Sequence, residues 1–150
     1  MPDGPAASGR VLGLDLGQAR IGVAISDDRR RVAVPLGTVR TGAPGDVRTL
    51  AALVEEHGVT DIVVGHPLRM AGGAGEAADQ AETFARTLEQ YLSVRVHLQD
   101  ERLTTVQAHR ELARAGLRGK DRRAVVDESA ATLILQAFLD RTAPSTSTSS

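Results

Sequence analysis

"VLGLDLGQARIGVAISD", residues 11–27, sets a single carboxylate, Asp15, into an otherwise apolar strand and places Gly13 and Gly17 two residues to either side of it. The runs 10–15 (RVLGLD) and 21–26 (IGVAIS) read as two short strands joined by a Gly-containing turn. Residues 32–39 (VAVPLGTV) read as a third, with Pro35 better suited to an edge than to a sheet centre. Three such elements in succession predict an antiparallel meander. Gly17 can supply positive φ in the turn, and Gly13 leaves room for a close approach by another element or a substrate backbone.

Beyond residue 40 the period changes. Val47, Leu50, Ala51 and Val54 recur at helical spacing in 46–57, with Asp46 able to cap and Gly58 able to end the helix. Residues 61–65 (DIVVG) read as a buried strand, followed by a Gly-rich loop and a helix over about 75–92. Residues 94–99 (VRVHLQ) alternate as a strand; Thr104 or Thr105 can start another helix ending near Gly116, and a last helix covers about 122–141. A meander followed by two strand–helix alternations predicts an α/β fold with a mixed sheet, the later strands adding in parallel to the first. Residues 1–9 and 142–150 are small, polar and proline- or serine-rich, and are expected to be disordered tails around one domain at 10–141.

Composition narrows the functional classes. A chain of 150 residues makes one domain and buries roughly two-thirds of its unfolded surface. With no cysteine, disulfides and thiolate zinc sites are excluded. Phe84, Tyr91 and Phe138 are the whole aromatic complement, which disfavours a platform that stacks single-stranded bases. The N-terminus has no long apolar run, so no signal peptide, membrane span or membrane partner is expected, and the expected location is the cytoplasm. Net charge is only -1, but Arg102, Arg110, Arg114, Arg118, Lys120, Arg122 and Arg123 cluster against just Glu111 and Asp121. Arg29, Arg30 and Arg31 form a second basic cluster. Such polarity permits a phosphate-facing side on a neutral protein, although each cluster alone also fits a solvated surface.

Three acids stand apart. Asp15 closes the first strand, Glu101 follows the strand at 94–99, and Asp127 shares a helical stripe with Ala130, Ala131 and Ile134. Parallel strands end at one edge, so Asp15 and Glu101 are expected to meet from adjacent strand ends. Carboxylates gathered there repel unless a cation joins them, and a hard ion such as Mg²⁺ or Mn²⁺ suits oxygen ligands. Each acid also has a plainer reading: a turn cap for Asp15, a surface Asp–Glu–Arg cluster for Glu101, and a dipole-favoured first-turn acid for Asp127.

Four blocks carry a family resemblance: "GLDLGQARIGVAISD" (13–27), "IVVGHPLRMAGG" (62–73), "QDERLTTVQAHREL" (99–112) and "KDRRAVVDESAATLILQAFL" (120–139). Together they resemble the YqgF/RuvX family of the ribonuclease H-like superfamily, small bacterial proteins associated with pre-16S rRNA processing and, earlier, with Holliday junction resolution. The resemblance implies a ribonuclease H-like sheet of three antiparallel and two parallel strands flanked by helices. It implies Asp15, Glu101 and Asp127 as catalytic metal ligands, with Mg²⁺ or Mn²⁺ as cofactor. Structured RNA, namely the 5′ end of pre-16S rRNA within ribosomal precursor particles, is the implied substrate, and a four-way DNA junction is its rival.

Around the acids, Arg20 and Arg102 can contact phosphate, and Arg102 can instead pair with Asp100. Arg110, Arg114 and Arg118 make a one-sided basic stripe at i, i+4 and i+8 that Lys120, Arg122 and Arg123 extend toward Asp127. Asp27 is expected at the far end of the sheet from Asp15. His66 is expected as a loop histidine bonding its own backbone, with phosphate contact or proton transfer as the other readings. His57, His97 and His109 are expected to be structural or surface residues. Gly65, Pro67 and the run at 70–75 are expected to form a loop beside the acids; its Ala71, Gly72 and Gly73 stand where many family members carry an Asp–Gly–Thr-like sequence. A kinase or actin-like ATPase, suggested by "LDLGQARIGVAISD", needs two such domains and is excluded by length. A non-catalytic RNA-binding scaffold is the remaining alternative. No dimer seam is evident, so a monomer or weak homodimer is expected, whereas a resolvase should be a symmetric dimer.

Overall fold

The structure is a computed structural model in which residues 9–67, 75–103 and 119–143 are described, with side chains at 9–67, 75–102 and 130–143. Five strands, β1 (Arg10–Leu16), β2 (Arg20–Ser26), β3 (Ala33–Arg40), β4 (Val59–His66) and β5 (Arg95–Asp100), form one sheet in the order β3-β2-β1-β4-β5. The meander is antiparallel, and β4 and β5 join β1 and each other in parallel. The described helices are α1 (Gly45–His57), α2 (Glu76–Tyr91) and α3 (Gly119–Thr142), with a 3-10 turn at Glu101–Leu103. This is the ribonuclease H-like arrangement expected from the sequence. The helix expected to begin at Thr104 or Thr105 lies outside the described residues, as do most of the two expected tails. Thr142 continues α3 one residue beyond the expected boundary.

Alternation along the strands sends side chains to two cores. Leu12, Leu14, Ile21, Val23, Ile62 and Val64 pack with Leu50 of α1 and with Ala81 and Leu88 of α2. Val11, Ala24 and Val63 point the other way, against Ala130, Ala131, Ile134, Leu135, Phe138 and Leu139 of α3. α2 buries Ala78, Ala81, Ala85 and Leu88, a single stripe whose small members let the helix lie close to the sheet. β3 is the edge strand that Pro35 requires, and a register shift between Val23 and Ala24 accommodates it.

The ends of α1 divide into one expected and one corrected feature. Gly58 ends the helix in the left-handed conformation at φ 66°, returning its N–H to Val54. Asp46 is not the cap: Pro44 holds that position, and Asp46 sits inside the first turn. Its carboxylate accepts from the Gly42 N–H at 3.2 Å and from its own successor, Val47, at 2.7 Å. The acid thus fastens the preceding turn to the helix start, which a capping pattern alone does not distinguish.

Candidate active site

Asp15 is buried in β1, paired across the β1–β2 ladder with Gly22. Val11, Gly13 and Asp15 alternate onto the side of the sheet that α3 covers. A Cβ on Gly13 would lie 2.6 Å from the Leu135 Cβ and 3.2 Å from the Ala131 carbonyl oxygen. The close approach anticipated at Gly13 is therefore made by α3, and Ala131 is small for the same reason. Gly17 is not a left-handed turn residue, since its φ is not positive. Its constraint is the Arg20 carbonyl oxygen, 2.6 Å from where a Cβ would stand.

Asp15 and Glu101 do not come from adjacent strands. β4 runs between β1 and β5, and β5 leads directly into the turn that begins at Glu101. The obstacle between the two acids is removed by a glycine. Leu14 is in register with Val64, so the next step sets Gly65 beside Asp15, while on its other side Gly65 is in register with Gln99. Glu101 is buried and lays its carboxylate over Gly65: a Cβ there would be 2.7 Å from Glu101 Oε2 and 2.6 Å from Ile134 Cδ1. Gly65 is thus a cradle that any other residue would fill. Its role was anticipated only as part of a loop flanking the acids.

Asp127 belongs to α3, one turn before Ala130 and Ala131, both fully buried, and two turns before Ile134, which touches Gly65. Its side chain lies outside the described residues. Among the described residues no group of three or more His, Cys, Asp or Glu forms a metal cage. The two acids that are described nevertheless fit a hard divalent ion: both are buried oxygen donors, and the Glu101 carboxylate lies over the side-chain gap at Gly65.

The anticipated cationic residues fall into separate environments. Arg20 starts β2 at the same edge as Asp15 and is in register with Arg40. Arg102 pairs with Asp100, Nη2 to Oδ2 at 2.9 Å, and the pair is partly exposed rather than buried. Hydrogen bonds from Arg102 hold the Asp100 carboxyl below the usual range, and the Asp100 carboxylate holds the Arg102 guanidinium above its own. Lys120, Arg122 and Arg123 are in the first turns of α3 with side chains outside the described residues, and Arg110, Arg114, Arg118 and His109 lie outside them altogether. The same holds for all of 68–74, and so for every residue but Gly75 of the run expected as a loop at 70–75.

His66 is the last residue of β4, not a loop residue, and it bonds a side chain rather than its own backbone. Its Nε2 lies 2.8 Å from Glu82 Oε2 on α2. Asp27 stands at the opposite end of the sheet, as expected, where its Oδ1 accepts from the backbone N–H groups of Arg31 and Val32. Those bonds lower its pKa.

One cluster was not anticipated. Asp61, buried at the start of β4, accepts from Arg30 Nη2 at 2.7 Å, Arg95 Nε at 3.0 Å and Thr60 Oγ1 at 2.7 Å, and contacts His97 Nε2 at 2.9 Å. Burial alone would raise its pKa, but the bonds from Arg95, His97, Thr60 and Arg30 overcome that and hold it well below the ordinary carboxylate range. Arg30 adopts φ 59° and also donates to the Gly9 carbonyl at 2.9 Å, so the central member of the 29–31 cluster faces inward. His97 has the structural role expected of it. The available signal was an acid opening an apolar strand, the mirror of Asp15 closing one.

Among the described residues no helix is long and apolar enough to cross a membrane. A solved structure described as "T. thermophilus RuvC in complex with Holliday junction substrate" superposes with a TM-score of 0.52 over 90% of this chain and 96% of that one. Identity there is 16%, so this likeness concerns the fold. Curated relatives are much nearer in sequence. A protein of Mycolicibacterium paratuberculosis named "Putative pre-16S rRNA nuclease" is 46% identical over 93% of this chain and 85% of its own length. Relatives of the same name from Shouchella clausii and Myxococcus xanthus are 45% and 46% identical, over 88% and 90% of this chain and 95% and 90% of their own. The family model described as "RuvX: Holliday junction resolvase" matches residues 9–141, and with these relatives it establishes that the chain belongs to the RuvX family.

Proposed function

We propose that the protein is a divalent-metal-dependent nuclease that hydrolyses phosphodiester bonds during 5′-end maturation of pre-16S rRNA in the cytoplasm. The observation that carries this reading is the pair of buried carboxylates, Glu101 lying over the side-chain gap at Gly65 and Asp15 on the neighbouring strand one step past the Leu14–Val64 pair. Asp127, carried by the helix that packs against that gap, completes the donor set. Mg²⁺ or Mn²⁺ bound there would supply charge neutralisation and an activated water for attack on phosphorus.

The chain's own residues define how such a site is held. β1 fixes Asp15 through its ladder with β2, and the turn after β5 fixes Glu101. Ile134 packs over Gly65 beside the Glu101 carboxylate and closes that side of the gap. Arg102, oriented by Asp100, and Arg20 stand at the same edge and are the cations we assign to substrate phosphates. The names of the curated relatives favour the ribosomal precursor as substrate, and the description of the family model keeps a four-way DNA junction as the second reading.

The test is incubation of the purified protein with a pre-16S rRNA precursor and with a four-way DNA junction, each in Mg²⁺, Mn²⁺ or EDTA. Metal-dependent cutting of the precursor is expected, with loss of at least about 100-fold in Asp15→Asn and Glu101→Gln, the scale of removing a principal electrostatic group from an active site. Cutting that persists in EDTA or in both variants would refute the assignment. Cutting of the junction alone would transfer the activity to DNA.

A further inference from the structure

The face of β5 that looks toward α3 reads Arg95, His97, Gln99 and then Glu101, a row running from cation to acid along the edge strand of the sheet. Arg141, in the last turn of α3, lies against the middle of that row: its Nε and Nη2 donate to Gln99 Oε1 at 3.1 and 2.8 Å. The guanidinium also sits over the Phe138 ring at 5.4 Å, and the His97 ring packs against the same phenyl at 4.9 Å. Gln99 is buried and neutral, so Arg141 is positioned without being neutralised. Arg95 bonds Asp61 yet keeps 65% of its side chain exposed.

Among the described residues, positive charge at this place is in excess. Arg30, Arg95 and Arg141 carry three positive charges, and Asp61 returns one negative charge. Among the described residues, Asp140 is the other acid nearby on α3, and it bonds Gln136 on the flank that faces β3. Asp61 and Gly65 are four residues apart on one face of β4, or about 13 Å at the strand rise, which equals about four nucleotide steps of a duplex axis. A backbone engaged by Arg95 and Arg141 therefore reaches the acid edge within a few nucleotides.

We propose that Arg95 and Arg141 form a second contact for the nucleic-acid phosphate backbone, a track along the edge strand β5 leading to Asp15 and Glu101. The contact rests on the nuclease reading for its purpose but not for its detection. Phosphate oxygens suit it because both guanidiniums are pre-positioned by neutral or buried partners, and the ring they share, Phe138, is 5% exposed and covered by Arg141 and His97.

Binding is measured in EDTA by fluorescence anisotropy, using a labelled duplex RNA with a single-stranded 5′ extension and a DNA of the same design, between 50 and 200 mM salt. Loss of two phosphate contacts lowers the slope of log K against log salt by about 1.8, so Arg95→Ala/Arg141→Ala should lose about 12-fold of the wild-type salt sensitivity over that fourfold range. Arg141→Ala alone leaves the Asp61 cluster intact and should lose about 3.5-fold, which guards against misfolding of the double variant. An unchanged slope in both variants overturns the track and leaves the nuclease assignment standing. Equal competition by polyglutamate of matched charge would also overturn it, since that points to an acidic protein partner. A reduced slope in a protein that cleaves nothing supports the track and removes the nuclease reading instead.

Discussion

A methyl group on Gly65 would meet Glu101 Oε2 at 2.7 Å and Ile134 Cδ1 at 2.6 Å, whereas one on Gly13 would meet Leu135 Cβ and the Ala131 carbonyl. The two glycines are alike in crowding and unlike in consequence. Gly13→Ala presses on the buried face of α3, whose backbone oxygen cannot move independently, so overpacking should cost about 1–3 kcal/mol and leave the acids in place. Gly65→Ala presses on a carboxylate and on the tip of an isoleucine, both able to shift. Its stability loss should be no larger, but cleavage should fall by at least about tenfold, because a displacement on the order of 1 Å at a reacting group has effects of that scale or more. Melting temperature and cleavage rate measured on both variants separate the cases. Gly13→Ala losing more activity than Gly65→Ala, at equal melting temperature, would show that the gap at Gly65 does not set the Glu101 position.

At the scale of elements, the Asp61 cluster ties the loop before β3, the start of β4 and the start of β5 into one corner. Removing the charge takes the buried anion away from Arg30, whose side chain is 17% exposed, whereas Arg95 is 65% exposed and stays solvated, so Asp61→Asn should cost about 1–3 kcal/mol at neutral pH. The pH dependence follows from the sign of the shift. The folded carboxyl is held below its unfolded value, so its contribution is complete above about pH 4 and disappears as pH falls through the folded value. The stability gap between wild type and Asp61→Asn should therefore be constant from pH 7 to about 5 and narrow below about pH 4. Urea unfolding across that range reads it, and a gap that stays constant to pH 3 would mean the ionised carboxylate is not what holds the corner. This corner also marks where sequence reading stops. Apolar alternation and glycine positions made β1, β2, α1 and the parallel addition of β4 legible, because those signals are local. Arg30, Arg95 and His97 reach Asp61 across 31 to 36 residues, and no spacing rule encodes such a meeting. The insertion of β4 between the two acids was hidden for the same reason: pairing order is settled by whole-sheet packing, and the clue, a glycine ending DIVVG, looks locally like a loop entry. Strand direction could have separated the two buried acids. Asp15 lies near the end of its strand, at the edge where open α/β sheets place their sites, and Asp61 near the beginning of its own.

For the molecule as a whole, the proposed ligands couple folding to metal. Asp15 is fixed by the meander, Glu101 by the turn after the last strand, and Asp127 by the terminal helix, so an ion held by all three binds only when sheet and helix are assembled. Binding to the folded state alone stabilises it by about 2.7 kcal/mol at a hundred times the dissociation constant. For a domain of this size that corresponds to a rise of about 5–11 °C in melting temperature. Wild-type protein titrated with Mg²⁺ or Mn²⁺ should show this rise saturating, and EDTA should reverse it. Asp15→Asn and Glu101→Gln should each retain less than about a third of it, while Arg95→Ala/Arg141→Ala, which removes none of the proposed ligands, should keep it. Calorimetry without any nucleic acid makes the measurement independent of cleavage. A melting temperature indifferent to both metals in the wild type would place the metal with the substrate rather than with the protein. An undiminished rise in both acid variants would move the ion to some other part of the chain.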